Sequence, residues 1–408
     1  MNKTKSFEIS KMLVVEAYKQ VKKNKGAAGI DNKTMADFDA DLKNNLFKIW
    51  NRMSSGSYFP PPVKMVPIPK KDGGVRMLGI PTIGDRIAQT VVKMMLEPIL
   101  EPIFHEDSYG YRPNKSAHQA VEVAKQRCWV NKWTIDLDIK GFFDNLNHEL
   151  VLKSVKHHTN NRLILLYVER WLKCPVIDRD GNFVKRDKGT PQGGVISPLL
   201  ANLYLHYAFD SWITRVHRGV KFERYADDIV IHCNVLVEAQ KVLKNLNQRM
   251  IDCGLELHPD KTKIVYCSQA MIREKVEFPQ EFDFLGFTFK RRTIKTKHGK
   301  LRDGFLPGLS KSSKKQISAK IKQWYLPTRT DFNLQDISKR YNPALRGWFN
   351  YYGQISVAAY RPVQRHVREV LTNWAVRKFK RFKGSRTNAG IFIDDVLKKY
   401  PKMFSSYV

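Results

Sequence analysis

Two short acidic stretches, far apart in the chain, restrict what it can fold into more than any other feature. In Ile135-Asp136-Leu137-Asp138-Ile139 apolar and acidic residues alternate. As a β-strand, this puts the apolar side chains on one face and both carboxylates on the other. Such a strand belongs to a sheet with its back on a core and its front presenting charge. The second stretch, Tyr225-Ala226-Asp227-Asp228, lies between strand-like segments at 221–225 and 228–233, and so reads as a hairpin tip. Asp227 and Asp228 are neighbours, so their side chains diverge and only one can readily join Asp138. The 89 positions from 138 to 227 leave enough chain to bring both sites onto adjacent strands of one sheet. Taken singly, each stretch has a bland explanation: a solvated strand face, and an Asp-Asp turn satisfying its own backbone amides.

Charge makes the pair more specific. Among 408 residues, 71 Lys and Arg face 39 Asp and Glu, a formal charge of +32. Such an excess repels itself and calls for polyanions. A ribosomal or chromatin-type packing protein would share the charge, but 42% hydrophobic and 11% aromatic content describes a folded, enzyme-like body of two or three domains. Cys128, Cys174, Cys233, Cys253 and Cys267 form no C-x₂-C pair, which excludes a zinc ribbon or disulfide framework and fits a reducing compartment. The N-terminus leads into no apolar h-region, and no membrane-length apolar run occurs. The expectation is a soluble, cytoplasmic protein whose charge meets phosphate backbones rather than membrane.

Periodicity predicts helices at 8–22, 37–53, 85–100, 147–156, 161–173, 198–216 and 236–252. A proline-rich stretch, 58–69, is extended and enters a hairpin over 66–81 with an Asp-Gly-Gly turn. A second hairpin is expected over 177–187, and strands at 133–139, 221–225, 228–233, 262–267 and 282–290. From Arg291 onward the chain reads as mostly basic helix with interleaved aromatics. Ile317, Ile321 and Trp324 form one helical stripe, and Val363, Val367, Val370, Leu371 and Trp374 another. These stripes are core, with cations on the remaining faces.

Two acidic sites without histidine or cysteine ligands suit Mg²⁺, which prefers oxygen and takes one or two carboxylates beside phosphate. Two such ions held roughly 3.5–4 Å apart are the apparatus of nucleotide polymerisation. One activates a primer 3′-hydroxyl and the other neutralises the triphosphate.

With these sites in view, the chain resembles the reverse transcriptases encoded by group II introns, over nearly its whole length and in that family's motif order. Asn24-Lys25-Gly26-Ala27-Ala28-Gly29-Ile30-Asp31 resembles the N-terminal extension loop, 66–81 the fingertips, and Ser108-Tyr109-Gly110-Tyr111-Arg112-Pro113 the next block. The string from Gly189-Thr190-Pro191-Gln192-Gly193-Gly194 to Ala201-Asn202 is similar to the substrate-pocket motif and is the most specific in the chain. Phe284-Leu285-Gly286-Phe287 resembles the primer grip, and Arg346-Gly347-Trp348-Phe349-Asn350-Tyr351-Tyr352 the maturase signature. The resemblance implies an α+β right-hand polymerase, with fingers and an antiparallel palm sheet, followed by an α-helical thumb and maturase domain. It divides the chain into an N-terminal extension (1–65), fingers and palm (66–290), thumb and maturase (291–375) and a short basic DNA-binding remnant (376–408).

Carried over by residue, the resemblance puts Asp138, Asp227 and the carbonyl of Ile139 on two Mg²⁺ ions, with Mn²⁺ a possible substitute and Asp228 auxiliary. Asp136 shares the face but falls outside the matching position. Phe143 stands where the family keeps a steric gate against a 2′-hydroxyl, Gln192 lines the nucleotide pocket, and Lys70 and Arg76 close on the triphosphate. Lys261 or Lys263 would protonate pyrophosphate, and the sequence does not choose between them. Lys25, Arg112, Lys314, Lys315, Arg346, Arg377, Lys378 and Arg381 are expected on nucleic acid. The implied partners are the parent intron RNA, an RNA template with DNA primer, dNTPs and a DNA target site. Many relatives continue into an H-N-H endonuclease with paired C-x₂-C ligands. None is present in this sequence, so second-strand cleavage is not expected.

The competing readings are a domesticated relative in DNA repair or phage defence, a polymerase-inactive RNA-binding splicing factor, and a two-metal nuclease. Intact Asp138 and Asp227 disfavour the splicing factor. Nuclease chemistry gives no reason for the Pro191-Gln192-Gly193-Gly194 pocket.

Overall fold

The computed structural model describes residues 6–69, 74–178, 180–267, 277–295 and 300–405. Its strands are β1 (Val63–Pro69), β2 (Val75–Ile80), β3 (Trp133–Leu137), β4 (Val176–Ile177), β5 (Phe183–Val184), β6 (Lys221–Tyr225), β7 (Asp228–Cys233), β8 (Lys263–Tyr266), β9 (Glu281–Phe284), β10 (Phe287–Lys295) and β11 (Leu301–Leu309). They form three sheets, ordered β2-β1-β4-β5, β6-β7-β3-β8 and β11-β10-β9. Helices occupy most of the remainder, so the chain is α+β.

The chain divides into two compact units, each built from several segments. The first comprises Met1–Lys115, Leu137–Ile229 and Gln240–Thr262; the second comprises Ser116–Asp136, Val230–Ala239 and Lys263–Val408.

The first unit is organised around the helix Ile83–Leu100, which is apolar on most of its circumference and is correspondingly buried. Thr82 caps it by accepting from the Asp85 amide. Asp85 itself is fully buried in the first turn. Its carboxylate accepts from Tyr58 Oη at 2.9 Å, Trp171 Nε1 at 2.8 Å and Gln89 Nε2 at 2.9 Å, and burial pushes its pKa up. The proline-rich stretch passes into β1, which pairs antiparallel with β2 from Lys64 opposite Ile80 to Pro69 opposite Val75. The tip of that expected hairpin, with Lys70, lies outside the described residues. The helix expected over 37–53 breaks at Asp41 into Met35–Ala40 and Leu42–Ser54. That expected over 198–216 runs as Ser197–Leu205, a π-helical turn His206–Asp210, and Ser211–Val216.

The second unit corrects two expectations. The strand expected over 282–290 is folded back on itself: Leu285 (φ 50°) and Gly286 (φ 81°) both take left-handed conformations and join β9 to β10 as a two-residue hairpin. β10 then continues to Lys295 and pairs with β11 along its length, so the basic helices begin at Lys311 rather than near 291. Stacked Phe282, Phe289 and Phe305 hold this three-stranded sheet. Beyond it, the helices Lys311–Lys322, Leu334–Trp348, Val357–Lys378 and Arg386–Lys399 share one core. Ile317, Ile321, Val363, Val367, Leu371 and Trp374 are buried in it, as the helical stripes predict, with Val370 packed at its edge.

Asp85→Ala would leave three buried donors unpaired, at about 1–3 kcal/mol each. Urea unfolding should therefore show a loss of at least about 3 kcal/mol relative to the parent chain.

Candidate active site and nucleic-acid surfaces

Asp227 owes its position to a two-residue link. β6 ends at Tyr225 and β7 begins at Asp228, so only Ala226 and Asp227 span the tip, with Ala226 left-handed at φ 60°. Asp138 follows the end of β3 and is held from the other side by segment 256–262. The His258 amide donates to the Asp138 carbonyl at 2.8 Å, the Lys140 amide donates to the Glu256 carbonyl at 2.8 Å, and buried Ile139 bridges antiparallel to Leu257.

The two carboxylates lie within each other's field. Burial pushes the Asp227 pKa up, its own backbone amide pulls it down, and the charge of Asp138 adds to the rise, with Arg76 and Arg224 opposing. Lys261 Nζ approaches Asp138 at 3.5 Å, whereas Lys263 Nζ pairs with Asp136 at 3.5 Å. Among the described residues no group of three or more His, Cys, Asp or Glu side chains forms a metal cage. Two carboxylates beside a ligand's phosphates are a donor set that Mg²⁺ accepts.

Around this pair the first unit gathers most of the expected pocket. Arg76 donates through Nε to Gln192 Oε1. The Gly79 amide of β2 donates to the Gln192 carbonyl at 2.7 Å, so the Gly-rich loop is sewn to the strand. Gly193 (φ 120°) passes so close that a Cβ there would stand 2.3 Å from the Gly79 carbonyl oxygen. Phe143 is 6% exposed, edge-on to Phe142 at 5.4 Å, and its carbonyl accepts from the Thr190 amide at 2.8 Å. Tyr111, which no sequence motif singled out for a role, lies near Asp227. Its backbone is left-handed at φ 57° and its ring is 51% exposed. Burial and the Asp227 charge push its hydroxyl pKa up, against Arg76.

The expected nucleic-acid cations separate into two kinds. Lys25, Lys314, Lys315, Arg346 and Arg377 are exposed. Arg112 is turned inward, with 7% of its side chain exposed: it clasps Glu101 at 2.7 Å and donates to the carbonyls of His105 and Ser108. Lys378 likewise points inward, donating to the carbonyls of Thr330 at 2.8 Å and Phe332 at 2.7 Å. The Arg112 guanidinium thus has its donors engaged within the chain, whereas the Lys378 ammonium keeps a third donor beyond these two carbonyls. Arg381 is exposed but lies over the rings of Phe379, Phe382 and Phe392.

Comparison with known proteins places the chain in a family. Residues 68–289 match the family model described as reverse transcriptase (RNA-dependent DNA polymerase). The chain belongs to the reverse transcriptases encoded by group II introns. Residues 314–390 of this reverse transcriptase match a second model, the group II intron maturase-specific domain. Protein YkfC of Escherichia coli K12 is 32% identical over 330 residues, 71% of this chain and 82% of YkfC. The group II intron-encoded protein LtrA of Lactococcus lactis subsp. cremoris is 35% identical over 211 residues, 51% of this chain and 34% of LtrA. A putative COX1/OXI3 intron 1 protein of Saccharomyces cerevisiae is 30% identical over 201 residues, 49% of this chain and 24% of its own length. The chain thus spans about a third of LtrA and about a quarter of the yeast protein. Its two matched domains are those of an RNA-directed DNA polymerase and an intron maturase, and polymerases of this family work with divalent metal. No described helix is long and apolar enough to cross a membrane.

Gly193→Ala forces the pocket loop away from β2, and displacements of about 1 Å at a reacting centre cost on the order of 100-fold. Steady-state primer extension should show kcat/KM for dNTPs falling by about that factor, with the far-ultraviolet dichroism unchanged.

Proposed function

We propose that this reverse transcriptase extends a primer 3′-hydroxyl with dNTPs on an RNA template, and that it binds its parent intron RNA to promote splicing and insertion at a DNA target. The observation that carries this reading is the meeting of Asp138 and Asp227, two carboxylates from remote stretches, in one electrostatic field. They would hold a pair of Mg²⁺ ions, with the Ile139 carbonyl as a further donor and Asp228 in support. Bound there, the cations supply Lewis-acid activation of the attacking hydroxyl and neutralisation of the leaving pyrophosphate.

The chain's own residues do the rest. Arg76, hydrogen-bonded to Gln192, sets a fixed positive charge at the mouth of the pocket, where triphosphate charge develops. Lys70, its expected partner across the fingertip, shares that role in this reading. Lys261 is the lysine beside Asp138 and therefore the better placed to give a proton to the departing pyrophosphate. Phe143, held by the Thr190 amide on its carbonyl, closes the sugar edge against a 2′-hydroxyl.

In this reading 1–65 is the extension, 66–290 the fingers and palm, 291–375 the thumb and maturase region, and 376–408 a DNA-binding remnant. Exposed Lys314, Lys315, Arg346 and Arg377 would meet RNA backbone, with the steep salt dependence that follows when many phosphates are neutralised.

Primer extension on an RNA template in Mg²⁺ tests the polymerase reading. Asp227→Ala should lower it by at least about 100-fold while intron splicing by the same protein stays near the parental level. Equal loss of both activities in a folded variant would refute the separation of the two functions. Phe143→Ala should raise incorporation of ribonucleotides relative to deoxynucleotides. An unchanged ratio would remove the gate.

A further inference from the structure

Directly before the Asp227 turn lies a charge that the polymerase chemistry does not use. Arg224, on β6, has none of its side chain exposed, and neither has Asp210, the last residue of the π-helical turn. They form a bidentate pair, Nε to Oδ1 at 2.7 Å and Nη2 to Oδ2 at 2.6 Å. The remaining guanidinium nitrogen, Nη1, donates to Asn202 Oδ1 at 2.9 Å and to the Ala226 carbonyl at 3.2 Å. Asn202, the last residue of the substrate-pocket string, donates in turn to the Gly110 carbonyl at 2.7 Å. Gly110 presses on the same turn so closely that a Cβ there would stand 2.4 Å from the Ala226 nitrogen. The main chain repeats the connection, with the Tyr109 amide donating to the Arg224 carbonyl at 2.8 Å and the Arg224 amide to the Asp107 carbonyl at 2.9 Å.

A buried ion pair is a poor way to gain stability, because apolar residues of similar volume do as well or better. What apolar residues could not do is hold one particular carbonyl. The Ala226 carbonyl belongs to the peptide plane that carries the Asp227 nitrogen, so its direction helps to set where the Asp227 side chain leaves the backbone. Ala226 is also left-handed, a conformation that a non-glycine residue keeps when its surroundings enforce it. The planar guanidinium matches this task, with one edge on a carboxylate and the remaining nitrogen on two oxygens.

We propose that Asn202, Asp210 and Arg224 form a positioning clamp that aims the Asp227 carboxylate at the cation pair, an inference that rests on the metal-holding role proposed for Asp227. The clamp also ties the end of the substrate-pocket motif to the metal turn, giving Asn202 a task apart from the nucleotide. Damage to it should appear in cation affinity before it appears in nucleotide or primer binding.

Asn202→Ala is the informative variant, because it leaves the Arg224–Asp210 pair intact. Mn²⁺ binding to the full chain, read by electron paramagnetic resonance without nucleic acid, should weaken on the order of tenfold, the typical effect of removing a partner that orients a metal ligand. The Mg²⁺ activation curve for primer extension should move to higher concentration by a similar factor. The dNTP KM at saturating Mg²⁺ and the affinity for primer–template should stay at the parental values. Asn202→Asp, which keeps the acceptor for Arg224, should lie between the two. Parental Mn²⁺ affinity in Asn202→Ala overturns the clamp, as does a lowered melting transition in both variants without a change in cation affinity. An Asp227→Ala control separates the two claims: if it binds Mn²⁺ as the parent does, the metal assignment fails first and the clamp with it.

Discussion

Two carboxylates brought into one field repel each other, and the first unit of this protein is arranged around that repulsion. Asp227 is pushed toward its protonated form by burial and by Asp138, and pulled back by its backbone amide, Arg76 and Arg224. Lys261 leans on Asp138 from outside. The pair thus sits among cations on a chain whose net charge is +32. A divalent cation held by the two carboxylates would offset their mutual repulsion. In the proposed reading these two carboxylates would take metal while exposed cations elsewhere on the chain would meet polyanions.

Periodicity made the scaffold around Asp227 readable. β6, β7 and the helix Leu236–Asp252 fall where the sequence predicts them, because alternation and helical spacing are strong in each. The turn at Leu285-Gly286 was missed because Phe284-Leu285-Gly286-Phe287 is apolar throughout, and only the left-handed backbone at two successive residues distinguishes a hairpin tip from a strand. The same blindness extended the basic helical region back to Arg291, where Arg291 and Arg292 in fact lie in β10 and Arg291 reaches Asp303 of β11.

Cations were the harder residues to sort. In so basic a sequence an inward arginine looks like any other, and nothing in the spacing shows that Arg112 turns to Glu101 or that Lys378 reaches two backbone carbonyls. Arg224 left a faint signal. In Lys221-Phe222-Glu223-Arg224-Tyr225 it shares its strand face with Phe222, and a cation alternating with a core aromatic has to find a partner inside. The identity of that partner, Asp210, depends on a π-helical turn that no spacing rule foretold.

The bond from the Gly79 amide to the Gln192 carbonyl joins β2 to the Gly-rich loop through main chain alone. Main-chain bonds are indifferent to side-chain identity, so residues along that strand can be exchanged without unfastening the loop. Strand and loop are in this respect a single lever with replaceable facings. Natural variation can retune the charges along the strand while the distance between loop and strand stays constant, and in the proposed reading those are the charges an incoming triphosphate would meet.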